Sequence, residues 1–382
     1  MSDERAATNP LFNDNRLKLG TFATNVDGAA SISTIEGRFE AKWPNVVRMA
    51  DIADRAGFEA IVPVARWRGF GGKTDFNGAS FETYTWAAGL AAITKTPAIF
   101  STSHVPTIHP VVAAKQATTI DHISGGRFGL NIVCGWFKPE LRMFGAPIME
   151  HDTAYEYAAE WVEVLKLLWT REDEFDYEGR YFKVEKGYHR PKPIQKPFPL
   201  LMNAGFSPMA REFVLKYCDV AFTGFQGAGT DAVKKQLAAY RDRAHKEYGR
   251  SLSIWAGAAV IIGDTEAEAK ARYEEAVNEK GDWEAVDSVF RIMGMVGRHQ
   301  GKSEAELLAL KRLYIGGYGA DPMIGTAEMI ADKLEQKSKA GIDGVLVTCP
   351  AYESDLRRFV REVVPLLEQK GLRKPARQST EP

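Results

Sequence analysis

The stretch Gly125–Glu140, GGRFGLNIVCGWFKPE, sets a single amide, Asn131, inside an apolar run bounded by glycines. Such a run reads as a strand buried on both faces. An amide placed there needs a partner, either the protein's own backbone or a ligand at the strand's C-terminal end. Other chemically able residues gather at comparable places. Asn203-Ala204-Gly205-Phe206-Ser207 is a glycine turn entering a helix. It offers free N–H groups and a hydroxyl to a phosphate, or it is a plain serine N-cap. Arg66-Trp67-Arg68-Gly69-Phe70-Gly71-Gly72-Lys73 mixes cations, rings and glycines, which suits an anionic or carbonyl-bearing ligand or a solvated loop equally. His104 and His109 read as supporting histidines rather than proton carriers. Cys134 reads as a small buried apolar residue. Asp152 is a cap candidate for a long helix whose Tyr155 and Tyr157, two residues apart, point in different directions.

The residue types that are missing narrow the chemistry. No pair of carboxylates suggests glycoside hydrolysis. No His/Asp cluster has metal-ligand spacing, so no metal is expected. GxSxG is absent, and the three cysteines, Cys134, Cys218 and Cys349, form no CxxC pair. With 49 basic and 50 acidic residues the chain has no global field for nucleic acid or a membrane surface. It has no apolar run of about 18 residues, and MSDERAATNP does not resemble a signal peptide. A soluble cytoplasmic protein is expected. A site rich in amides, rings and glycines suits a planar polar cofactor that brings the hard chemistry with it.

The elements that must position these residues alternate between strand and helix. Apolar strands are expected at Leu17–Ala23, Ala60–Val64, Ala98–Thr102, Phe128–Val133, Pro199–Asn203, Asp219–Thr223, Ile254–Ile262 and Asp343–Thr348. Helical spacing separates them at Trp43–Ala56, after a Ser80 cap, and at Val111–Ile123, Asp152–Trp169, Ser207–Lys216, Thr230–Tyr248 and Ser354–Leu367. Eight such units without a Rossmann glycine fingerprint predict an α/β fold, a (β/α)8 TIM barrel with insertions in the βα loops. The insertions are Arg66–Gly78, Pro139–Glu150 with Thr170–Lys196, and about Gly281–Asp321, the last read as a mobile lid. Residues 1–16 form an N-terminal arm, 17–369 the barrel domain and 370–382 a loose tail. The barrel rule places the site on the loops Val64–Gly72, Thr102–His109, Asn131–Glu140, Asn203–Ser207, Thr223–Gly229 and Thr348–Tyr352.

RGFGGKTDF (Arg68–Phe76), AAKQATTIDHISGGRFGLNIVCGWFKPE (Ala113–Glu140), EHDTAYEYAAEWVEVLKLLW (Glu150–Trp169) and NAGFSPMAREF (Asn203–Phe213) resemble the bacterial-luciferase-like family of flavin-dependent monooxygenases. Within it they are similar to the RutA-type pyrimidine and the dimethylsulfone groups, over essentially Leu17 to Leu367. The resemblance implies reduced FMN at a barrel mouth, with dioxygen as co-substrate. It places Val64 and Ala65 against the ring system, Asn131 on its polar edge, and Glu140, Ala154 and Tyr155 at the flavin tail. It assigns Gly205 and Ser207 to the phosphate, Thr102 and Asn131 to dioxygen, and Arg66 and Trp136 to the substrate border. The pyrimidine group carries Lys at the Arg66 position and Thr at the Cys134 position, whereas TNVDGAASIST resembles the sulfone group. The implied activity is oxygenation or cleavage of a small organic substrate (a uracil-like ring, a sulfone or an aromatic compound). A separate NAD(P)H-dependent reductase would supply the flavin, and the oxygenase would self-associate. An F420-dependent oxidoreductase on the same fold and a non-catalytic flavin-binding relative are the alternatives.

Overall fold

The computed structural model describes residues 4–223, 230–298 and 301–376. Eight parallel strands close into a barrel: β1 Lys18–Phe22, β2 Ala60–Val62, β3 Ala98–His104, β4 Phe128–Val133, β5 Leu200–Asn203, β6 Val220–Phe222, β7 Ser253–Ile262 and β8 Gly344–Thr348. Each pairs with its successor and β8 returns to β1, so the barrel leaves no open edge. These strands are short apolar segments that need cover on both sides. Helices including Thr83–Ile93, Pro110–Ile123, His151–Thr170 and Pro208–Tyr217 supply the outer layer.

The barrel interior is filled by Val62, Phe100, Met202, Trp255 and Leu346, with Leu11 of the N-terminal arm packed among them. Small and large residues alternate to fit that space. A Cβ on Gly129 would fall 2.5 Å from the Phe100 ring, and one on Gly344 would collide with Trp255. Gly129→Ala is therefore expected to cost about 1–3 kcal/mol of stability by overpacking, read as a lowered denaturation midpoint with an unchanged denaturant slope.

Both ends of the described chain are tied down. Arg5 forms a double hydrogen bond with Asp219 (2.8 and 3.1 Å), and Asn9 donates to Gln195 (3.0 Å). Composition places Lys370 onward in the tail, yet Leu372 and Arg373 are buried, and the Leu372 carbonyl accepts from Leu17 N–H.

Several boundaries differ from expectation. β2 stops at Val62 and β3 runs on to His104. The helix expected to be capped by Ser80 is capped by Glu82, which accepts from Tyr84 and Thr85 N–H, while Ser80 donates to the Arg66 carbonyl. Asp152 does not cap the long helix; Glu150 holds the N-cap position and makes no side-chain capping bond. The segment read as a mobile lid folds into helices Trp283–Ile292, Met295–Arg298 and Glu304–Gly317. They share a second apolar cluster in which Val286, Val289, Phe290 and Ile315 meet Phe70, Phe76 and Phe137. Helices are expected across Asp264–Lys339, and these are among them; the glycines that suggest mobility do not reveal this tertiary packing. The strand Asp321–Gly325 extends the sheet beside the upper half of β7. The antiparallel pair Phe175–Glu178 and Lys183–Gly187 occupies the expected insertion before β5.

Candidate active site

Three knots of residues stand at the C-terminal ends of the strands. The first joins β2, β3 and β4. Asn131 and Thr102 are register partners across β4 and β3. The Thr102 hydroxyl donates to the Pro63 carbonyl at 2.6 Å, so it can only accept from Asn131 Nδ2, 3.2 Å away. That fixes the amide's orientation and turns Asn131 Oδ1 elsewhere, buried and without a hydrogen-bond partner. Val64 beside them is held by Asn25, whose side chain accepts from Val64 N–H (2.9 Å) and donates to the Val64 carbonyl (2.8 Å). Asn25 is fully buried and sits past a left-handed Ala23 (φ 64°) at the end of β1. Sequence reasoning passed over it, although a polar side chain straight after a barrel strand was a usable signal.

The second knot is built on Glu140. Its Oε1 accepts from Trp67 N–H (2.7 Å) and Arg68 N–H (3.1 Å), with Arg66 Nη1 at 3.5 Å. His104 Nδ1 lies 3.2 Å from Oε2, within ion-pair reach but outside hydrogen-bond geometry. The Arg66 guanidinium lies over Phe70 (4.7 Å), Phe137 (4.9 Å) and Trp136 (5.4 Å). Glu140 thus ties the Arg66–Gly78 loop to β3, and its carboxylate has no solvent exposure. Tyr318 closes the same wall in a left-handed conformation (φ 51°), with its hydroxyl buried beside Arg66.

Burial pushes the Glu140 carboxyl up, but His104, the Arg66 charge and the Trp67 N–H outweigh it and hold the group below its ordinary 4.5. A depressed carboxylate adds stability that is full above the unfolded value and lost as pH falls through the folded one. Glu140→Gln removes this contribution and leaves Arg66 buried beside a neutral amide. The variant is expected to be less stable at pH 7, and to lose less than the wild type between pH 5 and 3, as read by Tm against pH.

The third knot surrounds Gly205. Its N–H donates to Asn203 Oδ1 (2.8 Å), and Asn203 Nδ2 donates to the Ile132 carbonyl (2.7 Å), locking the turn onto β4. A Cβ at Gly205 would overlap Ala210 and the Tyr155 hydroxyl. Ser207 caps the helix Pro208–Tyr217 by accepting from Ala210 N–H. Ala154 is buried at the start of the helix His151–Thr170. Cys134 is buried, and burial pushes its thiol up, so it is a neutral packing residue and no nucleophile. His109 accepts from Val111 N–H and so caps the helix Pro110–Ile123. Of the expected loop Thr223–Gly229, residues 224–229 lie outside the described residues.

Residues 17–344 match the luciferase-like monooxygenase family. The chain belongs to that family. Among curated relatives of this luciferase-like monooxygenase is the FMNH(2)-dependent dimethylsulfone monooxygenase of Pseudomonas putida, 31% identical over 92% of the chain and 96% of the relative. Another is the pyrimidine monooxygenase RutA of a Bradyrhizobium species, 29% identical over 94% and 99%. Among solved structures the fold matches a riboflavin lyase (TM-score 0.83, 22% identity, 95% of this chain and 94% of that one). It also matches DmoA from Hyphomicrobium sulfonivorans (TM-score 0.79, 20% identity, 96% and 91%). The (β/α)8 fold and the enzyme class expected from the sequence are thereby established.

The first and third knots also fit a flavin. The luciferase-like enzyme presents an apolar strand end at Val64–Ala65, an unpaired amide oxygen at Asn131, and a helix N-terminus behind a turn too tight for any side chain. Among the described residues no helix is long and apolar enough to cross a membrane, and no group of three or more His, Cys, Asp or Glu could hold a metal ion.

Proposed function

We propose that this enzyme is the oxygenase component of a two-component system, in which reduced FMN and dioxygen oxygenate or cleave a small organic substrate. The observation that carries the reading is the unpartnered, buried Asn131 Oδ1 above the Thr102–Pro63 hydrogen bonds. A buried acceptor left open costs about 1–3 kcal/mol, and a flavin ring N–H would remove that cost. Val64 and Ala65 would bear on the ring system, Tyr155 and Ala154 on the tail, and Ser207 with the Gly205 turn on the phosphate. When bound, reduced FMN supplies two electrons to dioxygen, so that one oxygen atom enters the substrate and the other leaves as water.

The protein's own part is to position and to exclude water. Asn25 fixes the backbone on which the ring would rest, and Thr102 orients Asn131. Arg66, Trp136 and the packed helices over the Arg66–Gly78 loop enclose the substrate side. Glu140 acts here as the anchor of that wall, a role it can hold alongside any contact with the flavin tail. The substrate class is a uracil-like ring, a sulfone or an aromatic compound, the first two in line with the names of the curated relatives. A separate NAD(P)H-dependent reductase delivers the flavin in the cytoplasm. Ile93, Val111 and Val112, exposed on neighbouring outer helices, support self-association.

The test is an anaerobic titration with FMNH2, followed by mixing with air-saturated buffer while absorbance is recorded. The expected result is tight binding and a transient spectrum distinct from both reduced and oxidised flavin, which decays faster in the presence of substrate. Binding without such a transient, or tighter binding of F420 than of FMN, would overturn the proposal.

A further inference from the structure

His104 ends β3, two residues beyond Thr102 and on the same side of the strand. Glu140 holds its ring. Oε1 of that carboxylate is occupied by the N–H groups of Trp67 and Arg68 (2.7 and 3.1 Å). Oε2 has no hydrogen-bond partner and faces His104 Nδ1 at 3.2 Å. Glu140 is held below its ordinary range and is therefore an anion. An anion repels a nitrogen lone pair, so Nδ1 carries the ring hydrogen and Nε2 the lone pair. A carboxylate so placed fixes the tautomer of an imidazole and stabilises its protonated form.

Nε2 is thereby left for the mouth. His104 lines a cavity of about 210 Å³ together with Ala65, Arg66, Thr102, Phe81 and Phe144. It keeps 5% exposure, and its ring nitrogens are not among the polar atoms sealed from solvent without a partner. The other titratable side chains of that lining cannot move a proton near neutrality. Arg66 stays charged. The Glu82 carboxylate caps a helix, accepting from Tyr84 and Thr85 N–H (2.9 and 2.8 Å). Burial pushes the Tyr84 hydroxyl up, and its partner is the Ser103 hydroxyl. His104 remains, and imidazole is the side chain that exchanges a proton in this range.

We propose that His104 is a general base of the active site, with Nε2 taking the proton of a substrate N–H or O–H group and Glu140 stabilising the imidazolium that forms. The inference rests on the oxygenase reading and narrows its substrate class to molecules with such a hydrogen, a uracil-like ring or a phenol rather than a sulfone. As the substrate's electron pair turns to the incoming oxygen atom, the proton passes to Nε2. It then goes to the other oxygen atom, which leaves as water. The two electrons and two further protons come with reduced FMN; one proton completes the water and the other replaces the hydrogen taken from the substrate. On this assignment His109, which caps a helix, keeps the supporting role expected of both histidines, and His104 does not.

The probe is para-nitrophenol, whose anion absorbs at longer wavelength than the neutral molecule. The control is para-nitroanisole, which has no proton to give. Both are titrated into the full-length protein without flavin, in buffer acidic enough to keep the free phenol neutral. A bound phenolate band is expected in the wild type, with the anisole bound about tenfold more weakly, the effect of one charge-assisted hydrogen bond. His104→Gln keeps a donor for Glu140 and is expected to bind the phenol in its neutral form. A long-range proton–nitrogen correlation spectrum of the histidine-labelled wild type, in mildly alkaline buffer, needs no variant and is expected to place the hydrogen on Nδ1. Failure of the phenol to bind, a bound phenol that stays neutral, a phenolate band that persists in His104→Gln, or a hydrogen on Nε2 would each overturn the proposal. None of these measurements uses turnover, so the oxygenase reading is decided separately, by FMNH2 and dioxygen alone.

Discussion

Asn131→Ala is expected to lower kcat/KM by about a hundredfold or more while leaving Tm unchanged or slightly raised. In the proposed site, the catalytic loss follows from removing a preorganised hydrogen bond that Asn131 would make to the polar edge of the cofactor, worth about 10²–10³ in rate at comparable sites. The stability outcome follows from the geometry. Thr102 keeps its 2.6 Å bond to the Pro63 carbonyl whether or not the amide is present. The variant loses one ordinary hydrogen bond of about 1 kcal/mol and is relieved of a buried, unpartnered oxygen that costs about 1–3 kcal/mol. A site that keeps a polar group unsatisfied in the free protein trades stability for function. Steady-state kinetics with saturating FMNH2 and a thermal melt of the free protein check both halves. Full activity in the variant would remove Asn131 from the site. A melt lowered by more than about 5 °C would make it a structural residue.

Gly205→Ala is expected to weaken FMN binding at least a hundredfold. The backbone there is not left-handed, so the constraint is space rather than φ. The added methyl would run into the Ala210 methyl and the Tyr155 hydroxyl, and would sit 2.9 Å from Asn203 Oδ1. None of these can yield cheaply. Ala210 lies in the first turn of a helix and is buried. Asn203 is tied to the Ile132 carbonyl. Tyr155 lies in the long helix, with its ring against Phe213 at 5.7 Å. The turn must therefore move away from β4, taking with it the N–H groups and the Ser207 hydroxyl that are proposed to hold the phosphate. Overpacking of this sort costs about 1–3 kcal/mol, so a modest fall in Tm accompanies the loss of binding. Fluorescence titration with FMN decides the matter; wild-type affinity would show that the turn does not hold the phosphate.

The sequence by itself determined the barrel. Period-2 and continuous apolar runs, helical spacing and glycine stops are local signals, and they placed all eight strands to within a few residues. It also marked Asn131 and Gly205, because an amide in an apolar strand and a glycine before a helix are each anomalous without reference to anything distant. Tertiary structure alone decided the partners. That Thr102 orients Asn131 depends on the register of β3 against β4, and that Asn25 clamps Val64 depends on the neighbouring strand ends of β1 and β2. That Glu140 anchors the loop at Trp67 and Arg68 requires two segments more than seventy residues apart to meet. The region Gly281–Asp321 read as a glycine-rich lid because its apolar residues find partners, among them Ile32, Phe70, Phe76 and Phe137, in segments distant along the chain. Local patterns report what a segment can bury; the closed barrel decides what it is buried against, and thereby which polar atoms remain free for a ligand.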